Sequence, residues 1–275
     1  MKYLKIYEDF DPFAHLKDVD FREDKKKTKD FVLGFTVGGN DKIKFPYFSL
    51  PAGYTCPRAG KCKTMVVDDP QTGRPKLMDY GQFRCYAGFD EVKYPNLRKR
   101  NWSNYQLILA QETKEDIVNL IERSFKFHFA FLPKYFRIHE SGDFFNQKYF
   151  DSWLEVAKNN PQTVYYGFTT SLDYWVKRQN EMPNNFRLTA SKGGKLDRLI
   201  SEHNLRWCDV VANVEEAIER KLPIDIDDTL ASSDSKEPFC ILIHGGQKKG
   251  SIYTTDIKRN KELIKQLKLR KQNPI

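Results

Sequence analysis

The chain has 275 residues, 30% of them charged and 14% aromatic, with a formal charge of +9. That length can bury a sizeable core in one α/β domain spanning 1–275. No apolar run approaches the ~18 residues that a membrane-crossing helix requires. A basic balance leads us to expect an anionic partner, nucleic acid first, because clustered Lys and Arg gain by displacing counterions from phosphates, although lysine-rich surfaces also serve solubility alone. There are five cysteines and no leader-like opening, so free thiols in a reducing compartment are expected rather than disulfides.

Residues 1–30 form a polar N-terminal extension ending in the charged run EDKKKTK. Residues 31–37, FVLGFTV, are the first expected strand, stopped by Gly38, Gly39 and Asn40, and 43–48 are a second extended piece. The stretch 49–88 follows, and it holds Cys56, Cys62 and Cys85 among Gly53, Pro57, Gly60, Gly81 and Gly88. Three thiols in a polar, glycine-rich loop point to a metal centre, zinc or iron-sulfur, with one coordination position left for another group. Their spacing, C-x5-C-x22-C, matches neither the compact zinc patterns nor the ferredoxin runs. The other reading is three unconnected thiols packed as small hydrophobes. Inside the long gap, 68–76 is turn-rich, so a hairpin or flap is expected to bring Cys85 back to the other two.

Residues 96–105 mix Arg and Lys with Trp102 and Tyr105, as single-strand binders do, or simply open a solvated helix. A helix is predicted over 103–127 from the three- and four-residue spacing of Leu107, Ile108, Ile117, Leu120 and Ile121. Strands are then expected at 135–139, 164–169, 186–190, 207–212 and 240–244. They alternate with helices at 149–159, 172–180, 195–204 and 214–220. With the first strand this makes about six parallel strands, hence an open or partial (β/α) barrel, with a doubly wound sheet as the alternative. The tail, 256–275, reads as a basic helix packed outside the barrel.

Ligands of either fold sit at the carboxyl ends of the strands. Here those ends carry His139, Glu140, Ser141, Gly142 and Asp143, then Thr169, Thr170 and Ser171, then Ser191, Asn213 and His244. The cysteine loop follows the first strand, so a single polar crater with a metal at its edge is expected. Ser171 and Ser191 serve equally as helix N-caps, and Asp143 could cap the next helix. The cluster of two acids and an imidazole around Gly142 asks for more than a cap. His15, His128 and His203 read as surface or packing residues. Cys208 and Cys240 read as core, with Cys240 a conceivable fourth ligand. Residues 225–228, DIDD, lack the glycine and terminal glutamate of a calcium loop and read as an acidic turn.

The segments SLPAGYTCP, CYAGF, RIHESGDFFNQKYFDSW, LPIDIDD and ILIHGGQKKGS, spread over 49–253, resemble the bacteriophage gene product 88 family. That family is in turn similar to radical SAM proteins. The resemblance implies a partial (β/α) barrel and a 4Fe-4S cluster held by Cys56, Cys62 and Cys85. It puts Ser141, Gly142 and Asp143 where radical SAM enzymes hold the methionine amino group of the cofactor. Radical SAM proteins space their cysteines C-x3-C-x2-C and carry a glutamate where Asp143 stands, so the resemblance implies the cluster more directly than SAM. The expected function is a phage iron-sulfur protein of the host cytoplasm with a redox or radical-type role. His139, Asp143 and His244 are the candidate catalytic residues. The alternative is a non-catalytic nucleic-acid-binding module with a structural zinc or cluster.

Overall fold

A computed structural model describes residues 32–38 and 43–272, and the side chains of these except 255 and 267–272. The extension at 1–30, His15, and the Gly39-Asn40 break lie outside the described residues.

In chain order, β1 (Tyr47–Ser49) leads into the cysteine loop, which contains an antiparallel hairpin of β2 (Thr64–Asp68) and β3 (Pro75–Asp79). Then come α1 (Tyr86–Lys93), α2 (Pro95–Leu109), α3 (Lys114–His128) and β4 (Tyr135–Ser141). The alternating part continues as α4 (Gln147–Asn159), β5 (Val164–Thr169), α5 (Leu172–Val176), β6 (Phe186–Ser191), α6 (Arg198–Glu202) and β7 (Trp207–Val211). It ends with α7 (Val214–Glu219), α8 (Thr229–Ser232), β8 (Phe239–Leu242) and α9 (Ile252–Gln272).

Six strands form one parallel sheet in the order β1-β4-β5-β6-β7-β8. The order never reverses, so the sheet has none of the switch points of a doubly wound fold. Right-handed crossovers therefore all return on the same outer face, and the result is a partial (β/α) barrel. The six strands are not the six expected. Residues 32–37 form no strand, and only Thr36 bridges to Tyr47. Their backbone groups are taken by helix side chains instead. Leu33 N donates to Ser124 Oγ at 2.8 Å and Gly34 N to Asn104 Oδ1 at 2.7 Å, and the His128 ring bonds Leu33 O at 2.8 Å. The second extended piece, expected at 43–48, runs into β1.

Alternation along the strands sorts the two faces. Phe136 and Ile138 of β4, Tyr165 of β5, and Phe186, Leu188 and Ala190 of β6 face the helices. There they meet Ile117, Leu120, Ile121 and Phe125 of α3 and Phe150, Trp153 and Val156 of α4. The predicted helix at 103–127 is two helices, broken between Leu109 and Lys114. Thr113 closes a capping box with Asp116, which satisfies two otherwise orphaned N–H groups and starts a new helix rather than continuing the old one. Arg98 is buried in an ion pair with Asp68 at 2.7 Å, and Trp102 is buried, so 96–105 is a packed helix rather than an open stacking platform.

The lumen is filled near its base by Tyr166, Cys208 and Phe239 packed on Ala231 of α8. The acidic turn at 225–228 is packed into the fold: Asp225, Asp227 and Asp228 are all buried. The C-terminal helix packs outside, with Ile264 against Val211, Ala217, Cys240 and Leu242. Among the described residues, no helix is long and apolar enough to cross a membrane.

Candidate functional site

Cys56, Cys62 and Cys85 all line one cavity of about 150 Å³ at the carboxyl ends of the strands. Each arrives by a different route. Cys56 follows a turn in which its own N–H donates to Gly53 O at 3.3 Å. The next turn is laced to the loop after β6: Lys61 N donates to Gly193 O at 2.8 Å and Lys195 N to Arg58 O at 2.9 Å. This contact needs Gly60, where a Cβ would lie 2.3 Å from Gly193 O. The β2–β3 hairpin then closes the long gap, as the turn-rich insert predicts, with Phe83 N on Lys61 O at 3.1 Å. Cys85 N donates to Thr64 Oγ1 at 3.0 Å, and the residue stands at the start of α1.

The thiols are half-buried because each opens onto the cavity, yet protein encloses them on the other sides. Burial pushes all three up from the ordinary thiol range, and the nearby Asp143 carboxyl adds to the effect at Cys56 and Cys62. Cys85 is pushed up to about 12 by burial and by Cys62, partly offset by N–H groups of Gly88 and Ala87.

The turn after β4 presses against the cysteine loop. Gly142 has φ +84°, and a Cβ there would lie 2.5 Å from Thr55 Oγ1 and 2.6 Å from Leu50 Cβ. Ser141 Oγ donates to Leu50 O at 2.8 Å, while Leu50 N donates to Ser141 O at 2.9 Å. Asp143 is buried and already accepts four hydrogen bonds. Oδ1 takes Thr169 Oγ1 at 2.6 Å and Phe144 N at 2.7 Å, and Oδ2 takes Thr170 N at 2.8 Å and Thr170 Oγ1 at 2.7 Å. Those bonds use the four acceptor positions of a carboxylate, so Asp143 ties β4 to β5. The helix cap is Asn146, which accepts Tyr149 N at 2.8 Å.

His139 has φ +63°, uncommon for a residue with a side chain, and lies where the β1–β4 register slips in a bulge. Its ring packs against Phe144, 4.6 Å between centroids, and its Nε2 is 2.8 Å from the Tyr149 hydroxyl. Burial, then Arg137, holds its pKa down to about 3. The ring is thus neutral at ordinary pH and packs among aromatic side chains, while the residue also lines the cavity.

A family model described as Gene product 88 matches residues 19–266. The chain belongs to the Gene product 88 family. The Gene 88 protein of Mycobacterium phage L5 is similar at 27% identity over 159 residues, 54% of this chain and 57% of that protein. The match thus spans little more than half of the phage relative's length. No solved structure matches the chain.

In this Gene product 88 chain the last strand contributes the far wall. The His244 ring lies on Tyr86, 4.4 Å between centroids, with Nδ1 3.1 Å from Leu242 O. The Tyr86 hydroxyl donates to Glu140 O. Gln247 exchanges two hydrogen bonds with the backbone of Arg84: Arg84 N donates to Oε1 at 2.9 Å and Nε2 donates to Arg84 O at 2.8 Å. The segment HGGQ thereby fixes the residue next to Cys85. Ser191 is on the cavity wall, whereas Ser171 sends its hydroxyl to Phe144 O at 2.7 Å. Asn213 caps α7 by accepting Glu216 N at 3.0 Å. Cys240 turns away from the crater, its sulfur 3.4 Å from Pro223 O, so it is not a fourth ligand.

Sequence reasoning missed the cavity floor. Arg137 Nη1 donates to Asp228 Oδ2 at 2.8 Å with both residues buried, and Asp228 is far away in the chain. The available signal was an arginine flanked by Phe136 and Ile138 in a strand, which alternation turns into the lumen. Among the described residues, no group of three or more His, Cys, Asp or Glu side chains is arranged to hold a single metal ion.

Proposed function

We propose that Cys56, Cys62 and Cys85 hold an iron-sulfur cluster of the 4Fe-4S type, at the rim of a cavity where a small molecule is transformed by redox or radical-type chemistry. The observation that supports it is that three cysteines, spread over 30 positions, all line one cavity. Zinc is the alternative cofactor. A cluster suits these thiols better, because its cysteines bind different irons and need not meet at one point, whereas a structural zinc gathers its ligands tetrahedrally around a single ion.

When bound, such a cluster supplies a one-electron couple and an iron position open to a ligand. The chain's own residues hold and shield it. Thr64 and Gln247 anchor the Cys85 segment, Lys61 and Gly193 anchor the Cys62 segment, and Ser141 ties the Cys56 loop to β4. Asp143 is saturated by protein donors, which favours a positioning role and weakens the SAM reading. His244, stacked on Tyr86 beside Cys85, is the better candidate for contact with a ligand. Lys61 and Lys192 also line the cavity, in keeping with an anionic partner, nucleic acid included. A working place in the reducing host cytoplasm accords with free thiols.

Purification under nitrogen, with iron, sulfide and zinc analysis, tests the reading. The expected result is a brown protein with iron and inorganic sulfide in equal amounts, both lost from Cys56→Ala, Cys62→Ala and Cys85→Ala. A colourless protein carrying zinc would support the structural-zinc module, and iron retained in all three variants would exclude these cysteines as ligands.

A further inference from the structure

Below the thiols the cavity runs into the barrel lumen, where Arg137, Phe168, Val210, Asp228 and Ile241 line it. Arg137 is only 6% exposed, and it is ion-paired with Asp228. Nη1 donates to Asp228 at 2.8 Å and the guanidinium carbon stands 5.0 Å from the Phe168 ring centroid, but Nε is buried with no hydrogen-bond partner. Buried guanidinium donors are normally satisfied, because leaving one without an acceptor forfeits its hydration for nothing. Asp228 itself is held from behind by the Tyr166 hydroxyl, which donates to Oδ2 at 3.1 Å. The pair is therefore fixed, and both of its residues line the cavity.

We propose that this floor binds a small monocarboxylic acid, its carboxylate on Arg137 and its compact apolar body against Phe168, Val210 and Ile241. A planar carboxylate matches the guanidinium fork in a way that a neutral amide does not. Asp228 already sets one negative charge against Arg137, so at this floor a second negative charge on the ligand is disfavoured and a phosphate monoester is a poor fit. The whole cavity, thiol rim included, measures about 150 Å³, which limits any ligand of its floor to a small molecule. This deepens the cluster reading by naming a substrate class for its cavity, and rests on that reading only for the chemistry done there, not for the binding.

Titration calorimetry with benzoate, benzamide and phenyl phosphate tests it. Benzoate is expected to bind saturably, and roughly ten-fold or more tightly than either of the others. Arg137→Met alone strands Asp228 and could unfold the chain, so the decisive variant replaces the pair together, Arg137→Met with Asp228→Asn, with folding checked by circular dichroism. There the affinity for benzoate should fall to that for benzamide. No benzoate preference in the natural chain, or an unchanged preference in the double variant, would overturn the site. Binding should persist in Cys56→Ala, which separates failure of this inference from failure of the cluster reading, and its loss there would overturn the assignment to the floor.

Discussion

Gly142 offers a quantitative test of how the cysteine loop is held against the barrel. Replacing it by alanine adds one methyl group, which the structure places 2.5 Å from Thr55 Oγ1 and 2.6 Å from Leu50 Cβ, at a residue whose φ is +84°. Two costs follow: about 1–2 kcal/mol for a side chain in the left-handed region, and about 1–3 kcal/mol for overpacking a site whose neighbours are themselves buried. Two other glycines separate these contributions. Gly73 has φ +64° and nothing within 4 Å of its added Cβ, so Gly73→Ala reports strain alone. Gly38 has neither feature, so Gly38→Ala should stay within about 0.5 kcal/mol of the natural chain. Urea unfolding should rank the loss of stability Gly142→Ala, Gly73→Ala, Gly38→Ala, with the first at about 2–5 kcal/mol. Thr55 adjoins Cys56, so Gly142→Ala should also speed alkylation of that thiol. A Gly142→Ala protein as stable as Gly73→Ala would refute the claim that the turn after β4 seats the loop.

Glu91 is buried, accepts Ala52 N and Asn101 Nδ2, and is pushed up to about 7, chiefly by burial. Its folded value lies above its unfolded one, so its contribution to stability is present in full below pH ~4.5 and lost as pH rises through about 7. Glu91→Gln should flatten that slope, removing on the order of 3 kcal/mol of pH dependence in urea titrations from pH 4 to 8, and an unchanged slope would count against an ionisable buried Glu91. Thr113→Ala removes the cap that divides α2 from α3 and should lower stability by about 1 kcal/mol, read as a midpoint shift in urea. Gln247→Ala leaves the Arg84 N–H and C=O without their partner, so Cys85 should be alkylated faster while Cys56 keeps its rate. Equal acceleration at both would mean a general loosening instead. Asp143→Ala strands the donors of Phe144, Thr169 and Thr170 and should cost about 3 kcal/mol or more, and a loss below about 1 kcal/mol would show that water replaces the carboxylate.

Local signals in the sequence determined much of the architecture. Short strands alternating with short helices require parallel pairing, and the polar residues that end those strands, from Ser141 to His244, mark where a crater forms. The three loop cysteines and the turn between them are legible for the same reason: proline restricts the backbone and glycine permits tight turns through local geometry alone. Tertiary structure alone decided which extended piece joins the sheet, since 32–37 lost its place when Asn104, Ser124 and His128 took its backbone hydrogen bonds. It likewise set the His139 ring among aromatic side chains, filled the acceptors of Asp143, and brought Asp228 of the acidic turn to Arg137. The physical reason is one of range. Periodicity and turn chemistry act over a few residues, whereas the partner of a buried charge or an orphaned amide is chosen by whichever distant segment the closed barrel brings within hydrogen-bonding distance.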